Sequence, residues 1–429
     1  YMGRINYGYA NRYLFTVTGR SDGYSAFGAN NKYAFFPSVA GAWILSGEEF
    51  FEKATSWVDM VKLRVSWGSN GNQAISPYQT LNRLSLTNYI WGDNGVVVNG
   101  AYLPSNGVGN PNLKWETSKT FNAGVDFSFW GGRLSGNVEY YVVNTSDLLM
   151  SRTVPIMNGY RSIMDNVGAT RNQGIEVALN SVNLKKGGFE WTTNVNFSLN
   201  RDKIVELRGD GKDDVANRWF IGEPLRVFYD YNVIGTWQQG DDFNIVKQKG
   251  AVPGSAKLED INQDGQITAA DKKIIGSKLP SFLLSMGNQL NYKNIYISFL
   301  LNGVFGVTKE LSYKNLDRWM PTYNYISSTG YWTPENPTNE MTSPTYIPYD
   351  KHTFYKKMNY VQVKNITLGY NFEKNLLNSL GVSALGVNVS VNNLYTFNNV
   401  KHALNFDADN MAVSYPTARS YMFGLNLTF

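Results

Sequence analysis

Cysteine is absent from these 429 residues, and histidine occurs only twice, at His352 and His402. The first absence removes disulfides and thiolate chemistry and is compatible with an oxidising compartment. The second nearly excludes a histidine-based metal centre or catalytic triad. No apolar run approaches the roughly 18–20 residues that a membrane helix needs. Charge is modest, 39 Lys+Arg against 34 Asp+Glu, and the basic residues are scattered. Pairs such as Lys185-Lys186, Lys272-Lys273 and Lys356-Lys357 therefore read as solvated loop charges, not as a nucleic-acid surface. A phosphate-binding glycine loop, a nucleophile elbow and a zinc motif are all lacking. No two acids stand out as a glycosidase pair. The chain does not read as an enzyme.

What is present is aromatic and alternating. There are 28 Tyr, 23 Phe, 11 Trp and 40 Gly. In TFNAGVDFSF, Phe121, Ala123, Val125, Phe127 and Phe129 alternate with Asn122, Gly124, Asp126 and Ser128. The same period of two runs through LSGNVEYYV, WTTNVNFSL, IYISFLLNG, LGVNVSV and the final SYMFGLNLTF. Such alternation marks strands with two unlike faces. Mean hydropathy is negative, yet this does not weigh against a membrane barrel, whose inward residues dilute the signal.

Connections alternate in length. Residues 9–12, 130–133, 183–188 and 292–294 make tight turns, and residues 47–59 and 371–384 read as short helical caps. Between them lie long Gly-, Asn-, Asp- and Pro-rich stretches: 21–32, about 69–112, 148–165, about 206–280, about 305–354 and 398–417. A soluble sandwich or propeller has no reason to put its long loops on alternate connections. Membrane barrels do, with short periplasmic turns and long extracellular loops. This parity predicts about thirteen spanning strands, provided that residues 228–237 are an excursion within a loop. The fold class is thus all-β, a transmembrane antiparallel β-barrel. Phe121, Val125, Phe127, Val195, Phe197, Val387, Val389 and Phe423 are expected to face lipid. Asn122, Asp126, Asn194, Ser390 and Asn426 are expected to face the lumen. The strand-like opening from Tyr1 reads as a start inside a domain.

Several segments resemble the SusC/RagA family of TonB-dependent outer-membrane transporters. They are residues 12–43, NPNLKWETSKTFNAGVDFSF (110–129), NVGATRNQGIEVAL (166–179), 258–277, YWTPENP (331–337) and 358–372. The resemblance covers essentially the whole chain in order. It implies a 22-stranded barrel of which residues 1–429 are the C-terminal part, with the plug, the TonB-contacting segment and the early strands outside it. It further implies uptake of oligosaccharides or peptides, driven through TonB, with a SusD-like surface lipoprotein as partner. A passive porin and a soluble β-rich adhesin are the alternatives. The ending, with Gly424, Leu427 and Phe429, resembles the signal that outer-membrane proteins present to their insertion machinery. Phe429 is expected to close the barrel.

Two local features carry chemistry. DINQDGQITAAD matches an EF-hand-type calcium loop, an insert within 258–277. Asp260, Asn262 and Asp264 stand at positions 1, 3 and 5 and Gly265 at the sharp turn. Gln266 offers a backbone carbonyl and Asp271 the acid at position 12. Alternate oxygens around a glycine suit a hard cation, and the bland reading is an Asx-rich turn. The tryptophans are the second feature. Trp43, Trp67, Trp130 and Trp191 fall at predicted strand ends, as in an interfacial belt. Trp91, Trp237, Trp319 and Trp332 lie in long loops, where a flat ring stacks equally well on a ligand or on its own loop.

Overall fold

A computed structural model of the chain describes residues 1–52, 56–91, 95–102, 108–155, 157, 159–311, 330–346, 352–373, 382–399 and 417–429. Thirteen strands form one sheet whose order follows the sequence. They are β1 (Met2–Tyr9), β2 (Tyr13–Gly23), β3 (Tyr33–Ile44), β4 (Val58–Asn72), β5 (Glu116–Phe129), β6 (Leu134–Ser146) and β7 (Ala169–Lys186). The remainder are β8 (Phe189–Glu206), β9 (Phe282–Tyr292), β10 (Ile295–Glu310), β11 (Tyr355–Asn371), β12 (Ala384–Asn398) and β13 (Ser420–Thr428). Residues 228–237 stay out of this sheet. Val227–Tyr231 pairs with Lys272–Ser277, and Val233–Thr236 with Ala256–Leu258. The excursion that parity required is therefore present, and the strand number agrees.

The tight turns need left-handed backbone, which costs glycine nothing. Between β5 and β6, Trp130, Gly131 and Gly132 have φ of 58°, 65° and 78°. The Asp59 carboxylate accepts the Gly131 and Gly132 N–H groups at 3.0 and 2.8 Å, so the turn is closed from β4. The connection after β3 carries a 3-10 turn, Leu45–Gly47, and one short helix, α1 (Glu49–Glu52). The second expected cap falls partly on 374–381, outside the described residues.

Contacts divide the chain into two compact units, 1–177 with 200–225, and 178–199 with 226–429. In the first, Ile5 pairs with Val17, Val17 with Val39, Val39 with Trp67, and Trp67 with Phe121. Val125 lies between Leu63 and Val138. These apolar partners form continuous rows on one face, while Asn122 and Asp126 pair with Ser66 and Lys62 on the other. Trp67 sits inside such a row, because β4 runs on to Asn72 and does not end near it. In the second unit, Val195 pairs with Met286 and Phe197 with Leu284; Val389 pairs with Phe423 and Val387 with Leu425. Asn194 is opposite Gly287, Ser390 opposite Met422, and Asn426 opposite Gly386. Along these rows registration carries the sequence alternation, as it must when a one-residue slip would flip every side chain, and elsewhere bulges shift it, as at Asp59 in β4 and Lys364 in β11.

A charge on the apolar row of a membrane barrel costs about 2–4 kcal/mol near the midplane. Val125→Arg should therefore cut the yield of folded, heat-modifiable protein several-fold, while Asn194→Arg on the polar row should not. Equal yields from the two variants on a gel would refute the face assignment.

Candidate functional site

On the polar face of the first unit, charge is gathered at β4, β5 and β6. The Arg64 guanidinium donates to both Asp126 carboxylate oxygens at 2.8 Å and to Glu139 Oε1 at 2.8 Å. Arg64 is directly opposite Gly124, and Gly124 opposite Glu139. A Cβ at Gly124 would lie 3.2 Å from the guanidinium and 3.3 Å from Glu139 Cγ. The glycine leaves the strand bare, so the planar fork reaches across β5 to Glu139 of β6 while it also holds Asp126 of β5 itself. Asn122 donates to the second Glu139 oxygen at 3.2 Å. Beside this network is a pocket of 390 Å³ lined by Arg4, Thr18, Arg20, Ser38, Ser66 and Asn70 among others. Met2, Phe36, Val39 and Trp67 line it as well, so its walls are mixed, with hydroxyl and guanidinium groups beside apolar ones.

Above these strands the long connections build their own core. Phe27, Phe36, Ile75, Leu113 and Trp115 are buried together. Trp115 meets Phe36 edge-on at 5.6 Å and Phe27 at 5.3 Å, and its indole N–H donates to the Lys32 carbonyl at 3.2 Å. The Asn110 amide donates to the Met164 carbonyl at 3.0 Å, and Asn166 returns a bond to the Lys114 carbonyl at 2.8 Å. NPNLKW is thus a clamp between loops. Sequence reasoning missed Trp115 as a core residue; the signal was its place in that segment. A separate hairpin, Ser85–Trp91 with Val96–Tyr102, carries Trp91 with 68% of its surface exposed.

In the second unit, Trp237 and Trp332 do not present free rings. Trp237 is 2% exposed, stacked on Phe243 at 5.0 Å, with the Lys257 ammonium 4.3 Å from its ring centre. Its N–H donates to Gln248 at 3.2 Å, and the Trp332 N–H donates to Gln238 at 2.8 Å. Both rings are used in packing the loop, so among the described candidates Trp91 alone offers an open face. Trp319 lies outside the described residues.

The loop Asp260 to Asp271 is held by its own backbone. Asp260 Oδ2 accepts the Gly265 N–H at 2.9 Å, and Gly265 has φ +77°. Asn262 Oδ1 accepts from Asp264 N at 3.1 Å, and Asp264 Oδ1 from Gln266 N at 2.9 Å. Fully buried Asp271 accepts from Ile261 N at 3.0 Å and Thr268 N at 2.7 Å, and it closes a capping box on the turn Ala269–Asp271. Burial opposes the Asp271 charge, but the N–H donors of Thr268, Ile261 and Asn262 outweigh it and hold the carboxyl below its ordinary range. Next to the loop, the Lys273 ammonium and the Asn232 amide hold the Glu259 carboxyl below its ordinary range too. Asp260 Oδ1 is buried with no hydrogen-bond partner, the atom that position 1 of a calcium loop turns to its ion. Among the described residues no three His, Cys, Asp or Glu side chains converge as a ligand set. The donor set on offer is mixed: carboxylates, the Asn262 amide and a carbonyl.

At the chain's last strand, Leu427 pairs with Leu385 and Gly424 with Asn388. A Cβ on Gly424 would lie 2.6 Å from the Asn388 side chain, so the glycine makes room for that amide. Phe423 and Phe429 are 82% and 85% exposed.

A family profile described as TonB dependent receptor-like, beta-barrel, matches residues 1–394. The chain is 35% identical over 459 residues to TonB-dependent receptor P3 of Formosa agariphila, covering 100% of this chain and 45% of that protein. It is 29% identical over 454 residues to TonB-dependent receptor SusC of Bacteroides thetaiotaomicron, covering 100% and 43%. The fold is similar to that of the RagAB peptide transporter, with a TM-score of 0.81 at 23% identity, covering 100% of this chain and 47% of that one. The chain thus spans about half the length of the curated relatives it matches.

Proposed function

The chain belongs to the TonB-dependent receptor β-barrel family of the outer membrane, and from that premise we propose that the protein imports large nutrients, oligosaccharides or peptides, with energy delivered through TonB. The observation that carries this reading is the family match over residues 1–394, on strands with alternating apolar and polar rows. A SusD-like surface lipoprotein, which the family resemblance implies, is the proposed partner at the long-loop end. The polar row, with its Arg64 network, suits hydrated solutes better than apolar ones. Gly424, Leu427 and Phe429 are proposed to serve assembly, with Trp91 as a ligand-stacking residue in a long loop.

The test is uptake. Deleting the gene should abolish growth on one class among a panel of oligosaccharides and peptides as sole nutrient. Deleting TonB should abolish it equally. Growth that survives loss of TonB would point to a passive porin and overturn the proposal.

The loop Asp260–Asp271 is proposed to hold one calcium ion as a structural staple. The fit rests on the orphaned Asp260 Oδ1 and on a donor set made wholly of oxygens. Asp260, Asn262, Asp264 and Asp271 would supply side-chain oxygens and Gln266 its carbonyl. An irregular oxygen set suits calcium better than magnesium, which demands a near-octahedral shell.

A further inference from the structure

The polar face of the first unit mixes both signs of charge, with Arg4, Lys62 and Arg64 on the same face as the acids. The carboxylates Asp126 and Glu139 lie on the polar face with Arg64. So does Asp202, two residues from Asn200, whose amide oxygen accepts a hydrogen bond from the polar-face Tyr141 hydroxyl. On the apolar face the charge is cationic and sits at one end. Lys119 lies two residues beyond Phe121 on the same face of β5, opposite Asn144 of β6. Arg171 of β7 donates to Asn144 Oδ1 at 2.8 Å, so the amide tethers the guanidinium on the same face. In β8, residues 201, 203 and 205 are exposed while Ile204 is buried and Asp202 accepts the Leu225 N–H at 2.9 Å. Lys203 therefore points away from the polar face. Lys119, Arg171 and Lys203 are all exposed, and neither lysine is in an ion pair among the described residues.

All three cations lie at the strand ends opposite the tight turns, the end assigned to the long extracellular loops. At about 3.4 Å per residue, Lys119 stands roughly 7 Å above Phe121 and so just beyond the apolar band. Neighbouring strands are about 4.8 Å apart, which puts the β5 and β7 backbones roughly 10 Å from each other with Asn144 between them. Exposed cations at a membrane surface attract anionic headgroups. An arginine fork held by an amide adds direction to that attraction. Among the described residues of β5 and β6, the face that carries Lys119 and Asn144 holds no carboxylate.

From this geometry we infer that Lys119, Asn144, Arg171 and Lys203 form a binding site for the phosphorylated headgroup of a glycolipid in the outer leaflet. The site faces the membrane, not the transport path. The inference rests on the outer-membrane reading and on the long loops being extracellular.

The full-length protein, purified in detergent, is titrated with diphosphorylated lipid A and with the same acylated disaccharide stripped of phosphate. The wild type should bind the phosphorylated form at least tenfold more tightly. The variant carrying Lys119→Gln, Arg171→Gln and Lys203→Gln should lose that preference while keeping heat-modifiable migration on a gel. Lys185→Gln, at the tight-turn end of β7, should bind like the wild type. A triple variant that keeps the preference, or a wild type that binds both lipids equally, overturns the site. Displacement by millimolar inorganic phosphate overturns the lipid assignment in favour of a free-anion site. Outer-membrane fractionation and surface protease access are checked first, so a failure of the localisation reading is seen separately.

Discussion

Replacing Trp115 with alanine should unfold the loop core of the first unit while leaving the strands beneath it intact. The ring is 7% exposed, touches Tyr24, Phe27 and Phe36, and donates to the Lys32 carbonyl. Large aromatic truncations in a packed core cost about 3–5 kcal/mol. A carbonyl losing its partner adds to that if water does not replace it. The loops meeting here span 24–32, 75–82 and 110–115, and they have little other apolar burial to spare. Amide exchange in these segments should rise by two or more orders of magnitude, and limited proteolysis should cut there first. Trp115→Phe keeps most of the apolar contact and should fall in between. Since β4, β5 and β6 keep their own ladders, heat-modifiable migration should persist. Wild-type exchange rates in the alanine variant would mean that the cluster contributes no cooperative stability.

Asp271→Ala should have a comparable effect on the loop of the second unit. The fully buried carboxylate accepts backbone N–H groups on both sides of the glycine turn, and alanine leaves those donors unpaired. Each unpaired buried donor costs about 1–3 kcal/mol, so two or three amount to roughly 2–5 kcal/mol after partial rehydration. Residues 238–280 should become protease-sensitive with or without calcium. Asp264→Ala separates the ion from the fold, since that side chain is exposed. It should leave the loop ordered in calcium-free buffer yet remove the extra protection that calcium gives the wild type. If chelation leaves wild-type proteolysis unchanged, the loop is a turn and not a metal site.

The pH dependence follows from the sign of the shift. Asp271 in the fold titrates below its ordinary value, so its stabilising effect is fully present above the unfolded value of about 3.9. It is lost as pH falls through the lower folded value. Amide exchange of Ile261 and Thr268, corrected for intrinsic rates, should therefore accelerate only below about pH 4. Acceleration between pH 5 and 7 would place the controlling group elsewhere.

Much of the architecture was legible before any coordinates, because strand alternation is a local property. Phe121, Val125 and Phe127 announce one face within seven residues of β5. The register that joins them to Trp67, Leu63 and Val61 then follows from covering that face continuously. Loop parity likewise assigned residues 228–237 to an excursion, since a spanning strand there would have put the following segment on the wrong side. The calcium-loop spacing is also local, and its turn at Gly265 formed as read.

Whether a loop tryptophan is a platform or a core residue is not local. Nothing within ten residues of Trp332 distinguishes it from Trp91. Its burial is decided by Gln238, 94 residues away, while Trp91 lies exposed on a two-stranded hairpin. Trp115 is buried by the rings of Phe27 and Phe36 and held by its bond to the Lys32 carbonyl, about eighty positions upstream. The Arg64 fork depends on a bare glycine that register places opposite it 60 positions on, and on Glu139 one strand further. A pattern of period two fixes which way each strand residue points, so this chain's sequence by itself determined its strands and their faces. A loop has no period, and the direction of its side chains is set by the distant groups that close over them, so only the tertiary structure decided which aromatic and charged residues are left open to a ligand.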